Sequence, residues 1–160
     1  MKKILKNTII IYLICVIDHF LYTIIPNPIT SIISPTNESI FQHLKMLFIS
    51  SIIYSLINYK KTSLFITLLR STLSTFLLAI IYIPLYNIFN EVMIISLTVL
   101  FISIFITEII ISKIPNKKHY NYISAITLII LIIIFTYLTY NPIKTKIFYD
   151  EKNKTYYLSK

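Results

Sequence analysis

Tyr122-Ile-Ser-Ala-Ile-Thr-Leu-Ile-Ile-Leu-Ile-Ile-Ile-Phe-Thr-Tyr-Leu-Thr-Tyr140 is an uncharged, almost wholly apolar stretch near the end of a 160-residue chain. About 20 such residues, rising 1.5 Å each in a helix, cross a hydrocarbon core of ~30 Å. The segment is therefore long enough to span a bilayer. Four earlier runs have the same character: Ile4 to Ile25, Asn37 to Ile57, Leu64 to Ile83 and Val92 to Ser112. Each of these carries at least one ionisable residue. Pro26 and Pro28 stand at the first exit, Pro84 at the third, and Pro115 and Pro142 at later ones, where a residue lacking an N–H ends helices.

Composition agrees with this segmentation. The chain is 56% apolar without a single glycine, whereas soluble domains reach roughly 45 to 50% with glycine included. Mean hydropathy is +0.77, concentrated in long runs and broken by short charged segments. The expected fold is all-α: a polytopic transmembrane helical bundle of five spans within residues 1–140, followed by a polar tail, 141–160. Met1 to Lys6 and the apolar run after it resemble a signal peptide, but no small-x-small cleavage triplet follows, so the segment is expected to stay as the first span. Bulky Leu13 and Ile14 before Cys15, the only cysteine, argue against a lipoprotein site. One cysteine also excludes an internal disulfide and a thiolate metal cluster.

The net charge of +9 raises the question of nucleic acid. The lysines lie in the gaps between apolar runs and form no stripe that could track phosphates, so nucleic acid is not an expected partner; the lipid bilayer is. Lys2, Lys3 and Lys6, then Lys60 and Lys61, then Lys113, Lys117 and Lys118 occupy the N-terminus and the second and fourth loops. The first loop, Asn27 to Ser34, and the third, Leu85 to Glu91, have no lysine or arginine. This asymmetry predicts an N-in, C-out, multi-pass protein of the cytoplasmic membrane. The tail's own lysines run mildly against it, offset by Asp150 and Glu151. Alternation in Lys146 to Asp150 and Lys154 to Leu158 predicts a small hairpin around Glu151 to Asn153.

Without glycine, close helix approach must rest on serine and threonine. Ser51 and Ser55, Thr67 and Ser71, and Ser103 and Thr107 have the required spacing.

Ionisable groups within the spans cost at least ~2.5 to 3.5 kcal/mol each and need partners. Counting ~1.5 Å per residue from each midpoint puts Asp18 and Lys45 at ~4 to 5 Å on the outer side, and His19 and His43 at ~7 Å. Arg70 and Glu108 fall on the inner side and are expected to form a structural ion pair. Thr8, Tyr12, Cys15, Asp18, His19 and Tyr22 share one face of the first span. On the second span, His43 points roughly 160° away from Lys45 at ~100° per residue, so both cannot face the first helix. One of them must meet a third helix or a cavity.

Ser34 as cap, Pro35 at the first helical position, and Asn37 with Glu38 in the first turn predict where the second span begins. Three readings of this layer stand side by side. Ser34 to Glu38 could be only a well-built helix start; Asp18, His19, Glu38, His43 and Lys45 could line a polar site; or His19, His43 and carboxylates could hold a metal. The third lacks any fixed ligand spacing such as HExxH, so no metal or other cofactor is expected. His119, beside Lys117 and Lys118, reads as an interfacial loop residue.

The run Ser34-Pro-Thr-Asn-Glu-Ser-Ile-Phe-Gln-His-Leu-Lys-Met-Leu-Phe48 resembles the signature Pro-[Val/Thr]-Asn-Glu-Ser-[Val/Ile]-Trp-Glu-His-Leu-Lys of a bacterial family of small, uncharacterised multi-spanning membrane proteins. His19-Phe20-x-Tyr22 is similar to that family's His-Phe-x-Tyr, with looser similarity at Ile83 to Tyr86 and Phe148 to Asp150. The resemblance implies a shared multi-helix fold and no activity. Phe41 and Gln42 stand where the family usually has Trp and Glu, so any shared chemistry would rest on Glu38, His43 and Lys45. Three function classes follow: a module that binds or transports a solute, ion or lipid; a membrane-embedded acid/base or metal-dependent hydrolase; or an accessory subunit packed on a membrane-protein partner or a second copy of itself.

Overall fold

The computed structural model describes residues 1–90 and 92–157; Glu91 of the third loop and Leu158 of the expected hairpin lie outside the described residues. Among the described residues six α-helices follow one another: α1 Lys2–Ile24, α2 Pro28–Ile33, α3 Ile40–Ile57, α4 Leu64–Phe89, α5 Met93–Ile111 and α6 Asn121–Tyr140. All but α2 are long and apolar enough to cross a membrane. α1 packs on α3 and α5, and α4 on α3 and α5, so these four close a bundle. α6 packs on α4 from outside and reaches α3 through Phe135, whose ring lies 4.9 Å from that of Phe48.

The bundle is inverted relative to a water-soluble one. Among the described residues, buried polar and charged side chains outnumber buried apolar ones, while Ile17, Phe76, Ile94, Ile129 and Ile133 stand exposed. Such apolar surface matches lipid as its solvent. The serine and threonine pairs explain how the interior closes. Ser51, Ser55, Thr67, Ser71, Ser103 and Thr107 are all buried. Ser55, Thr67, Ser103 and Thr107 bond the carbonyl one turn back, at 2.8–3.0 Å, so each presents a small, satisfied surface to the next helix. Ser51 Oγ also meets Ser74 Oγ across α3 and α4, at 3.3 Å.

Two helix boundaries differ from the sequence reading. Pro84 does not end the third span: it lies inside α4, which runs on to Phe89. The helix then stops at Asn90, whose φ of 57° and ψ of −157° lie in a region usually left to glycine, which this chain lacks. Ser34 does not start the second span. It ends α2, because Pro35 drives the preceding residue out of the helical region, to ψ 162°. α3 begins at Ile40 with Ser39 as its cap, accepting from Gln42 N–H. α2 itself was not foreseen, although Asn27-Pro28-x-Thr30 builds a full capping box: Asn27 accepts from the Ile29 and Thr30 amides, and Thr30 Oγ1 accepts from Asn27 N–H.

The tail folds back over the end of the bundle where α3 begins, opposite to Met1. Phe148 stacks on Phe41 with 4.4 Å between centroids. The expected hairpin is reduced to one antiparallel bridge between Asp150 and Thr155, preceded by a 3-10 turn over Lys146–Phe148.

Candidate functional site

The segment between α2 and α3 is held by its own side chains. Asn37 Oδ1 accepts from Ser39 N–H at 3.0 Å, Gln42 Oε1 from Thr36 N–H at 3.4 Å, and Asn37 Nδ2 donates to the Tyr157 carbonyl at 3.1 Å. Asp150 accepts from the Glu38 amide at 3.0 Å and from Asn153 N–H and Nδ2 at 2.9 and 2.8 Å. Burial alone would push the Asp150 carboxyl up, but these donors outweigh it and hold its pKa below the ordinary value. Gln42 therefore acts as a backbone acceptor, a task a carboxylate would perform equally well.

This frame leaves the Glu38 side chain free to meet two histidines. Glu38 Oε1 lies 3.8 Å from His19 Nε2 of α1, and Oε2 lies 3.7 Å from His43 Nε2 of α3. The two imidazoles stack with 5.6 Å between centroids. His43 Nδ1 lies 2.9 Å from the Ser39 carbonyl, which can only accept, so Nδ1 carries the proton. In the neutral ring the Nε2 lone pair then points toward Glu38. One donor atom from each of the three residues falls within 4.8 Å of the others, so His19, Glu38 and His43 could together hold a metal ion.

All three residues line a cavity of about 580 Å³ between α1, α3, α4 and α5. Val16, Met46, Leu78, Leu97 and Leu100 are among the apolar side chains of its wall. Lys152 of the tail also borders it, as do Tyr82 and Ser96, which bond each other at 2.8 Å.

Asp18 and Lys45, matched by depth in the sequence reading, do not line this cavity. Asp18 accepts from Ser34 Oγ at 2.7 Å and Ser50 Oγ at 3.4 Å, which ties α1 to the end of α2 and to α3. Lys45 points away from His43, as helical phase required: its Nζ donates to the Ser31 carbonyl at 2.7 Å and to Thr139 Oγ1 of α6 at 3.3 Å. The five sequence candidates thus split into a cavity-facing trio and two buried fasteners. Sequence reasoning missed Asp150, Lys152, Tyr82 and Ser96; the one available signal was the looser resemblance at Phe148 to Asp150.

A second cavity, of about 740 Å³, opens at the opposite end, bordered by Lys3, Lys6, Lys61, Arg70 and Glu108. Its buried charges are already engaged. Arg70 Nε bonds Glu108 Oε1 at 2.5 Å, as the depth match predicted, and Nη1 bonds Ser55 Oγ at 2.8 Å. Asn7 Nδ2 bonds Glu108 Oε2 at 2.8 Å. The smaller cavity is the better candidate because its ionisable side chains approach one another at 3.7–3.8 Å without hydrogen bonding.

A family model described as "Family of unknown function (DUF6512)" matches residues 1–158. No curated protein and no solved structure matches the chain.

Proposed function

We propose that this chain, which belongs to that family of unknown function, is a membrane-embedded binding module for an amphipathic, lipid-like molecule, seated N-in and C-out so that the trio lies in the outer half of the bilayer. The observation carrying this is the mixed lining of the smaller cavity: His19, Glu38, His43 and Lys152 share it with a larger set of apolar side chains, Val16, Phe20, Met46, Leu78 and Leu97 among them. A polar headgroup would meet the former and a hydrocarbon tail the latter, the usual plan of a ligand pocket. A cationic Lys152 and neutral or charged histidines suit an oxygen-rich headgroup. The lysine-free loops at the α2 and α4–α5 end support the orientation. A second reading, a hydrolase acting on such a molecule, draws support from His43, whose fixed tautomer offers Nε2 as a base.

Native mass spectrometry of the protein released from nanodiscs tests the binding proposal. Wild type should retain a lipid-mass adduct. Leu97→Trp, which fills the cavity, should lower retention roughly tenfold, the effect of about 1.4 kcal/mol, and Ile126→Trp on the outer face of α6 should not. Equal retention in all three would overturn it.

A further inference from the structure

We infer that His19, Glu38 and His43 form a binding site for one divalent first-row transition metal, with zinc the best match. The inference shares the cavity with the binding proposal but does not depend on it, since metal loading is read without any lipid-like ligand.

Distances carry it first. At 3.7 and 3.8 Å, the Glu38 oxygens are too far from the histidine nitrogens for hydrogen bonds. Around a tetrahedral zinc with bonds near 2.05 Å, neighbouring donor atoms stand about 3.3 to 3.4 Å apart. The trio, whose donor atoms lie within 4.8 Å of one another, is therefore spread wider than a zinc shell, and a contraction of up to about 1.4 Å would complete it. Three side chains that meet without bonding one another are the geometry of ligands around a centre.

Tautomer and support carry it second. A metal-binding histidine needs a free nitrogen, and its other ring nitrogen is ordinarily fixed by a carbonyl or carboxylate. His43 has that arrangement, with Nδ1–H on the Ser39 carbonyl and Nε2 directed at the trio. The Glu38 backbone is fixed in turn by Asp150, and the ring of His19 is wedged between those of Phe20, edge-on at 4.9 Å, and His43. The ligands are thus held by α1, by the loop before α3 and by α3 itself, with the tail as an outer brace.

Ligand chemistry selects the metal. Two imidazoles and one carboxylate suit zinc and its transition-metal neighbours better than calcium or magnesium, which prefer all-oxygen shells. Three protein ligands leave at least one coordination position for an oxygen atom of water or of a cavity ligand. Sites of closed structural type use four protein ligands, and the described residues offer no fourth histidine, cysteine or carboxylate to this cluster.

The test uses the full chain, purified without a polyhistidine tag, stripped with chelator and titrated with Zn²⁺ against a chromophoric competitor. A parallel Co²⁺ titration reports coordination through its visible bands. Wild type should take up one equivalent of either metal and show bands of a four- or five-coordinate nitrogen/oxygen site. Glu38→Gln and His43→Gln should each weaken Zn²⁺ at least tenfold and abolish the cobalt bands while melting like wild type, and His119→Ala, away from the site, should change neither. Absence of stoichiometric uptake by folded wild type, or uptake and bands that survive in both trio variants, would overturn the assignment.

Discussion

The two ends of the bundle hold the same kinds of side chain in opposite states. At one end Arg70 and Glu108 keep 5% and 3% of their side-chain surface and saturate each other with help from Ser55 and Asn7, while the Arg70 guanidinium lies 5.1 Å from the Tyr54 ring centre. At the other, His19, Glu38 and His43 keep 27%, 24% and 16%, approach without hydrogen-bonding one another, and face a cavity. Charges that satisfy one another serve the fold; charges held close and left unsatisfied are available to a ligand. This contrast predicts how each end responds to mutation.

The largest effect belongs to the ion pair. Arg70→Met leaves Glu108 buried and unpaired and should cost ~3 to 5 kcal/mol. Adding Glu108→Gln should restore much of that loss, measured as thermal melting in detergent and as abundance in the membrane. A double variant no more stable than the single one would show that the pairing does not carry the stability.

A smaller effect is expected where the tail locks the site. Asp150→Ala removes the acceptor for Glu38 N–H and should cost ~1 to 3 kcal/mol. Because the Asp150 pKa is depressed in the fold, its contribution is fully present above the ordinary carboxylate value of about 3.9 and is lost as pH falls through the lower native pKa. The gap in melting temperature between wild type and Asp150→Asn should therefore hold steady from neutral pH down to about 5 and close at still lower pH. A gap that closes near neutrality would place the acid-sensitive group elsewhere. The smallest effect is expected at the cavity: His43→Ala should change stability by less than about 1 kcal/mol, since no side-chain partner is left unbonded.

Most of the fold was legible because a bilayer imposes one rule, the ~20-residue apolar run, that survives any detail of packing. The Arg70–Glu108 pair was legible for a related reason: a charge in lipid must find a partner at its own depth. Finer features depended on local competition. Ser34-Pro35 carries a helix-start signal and a helix-stop signal at once, and the stop prevailed because Asn27 and Thr30 had already started α2. Pro84 reads as a terminator, yet α4 continues past it to Phe89, with Tyr86 still buried in the core.

The candidate site was half legible. Depth grouped Asp18 and Lys45 with the trio, and only helical phase separated Lys45 from His43. Asp18 shares the face of His19 but bonds Ser34 and Ser50 behind the cavity wall, a distinction of a single residue step that no periodicity resolves. The tail's role through Asp150 rests on a contact 112 residues away in sequence, beyond the reach of any local pattern.

The central claim, that the trio of His19, Glu38 and His43 is held for a ligand and not for the fold, is tested most directly by melting Glu38→Gln beside Arg70→Met in one detergent. A chain of this size shifts by ~2 to 4 °C per kcal/mol. Glu38→Gln should melt within about 2 °C of wild type, or above it, while Arg70→Met falls by at least about 6 °C. A Glu38→Gln protein that melts as early as Arg70→Met would contradict the account.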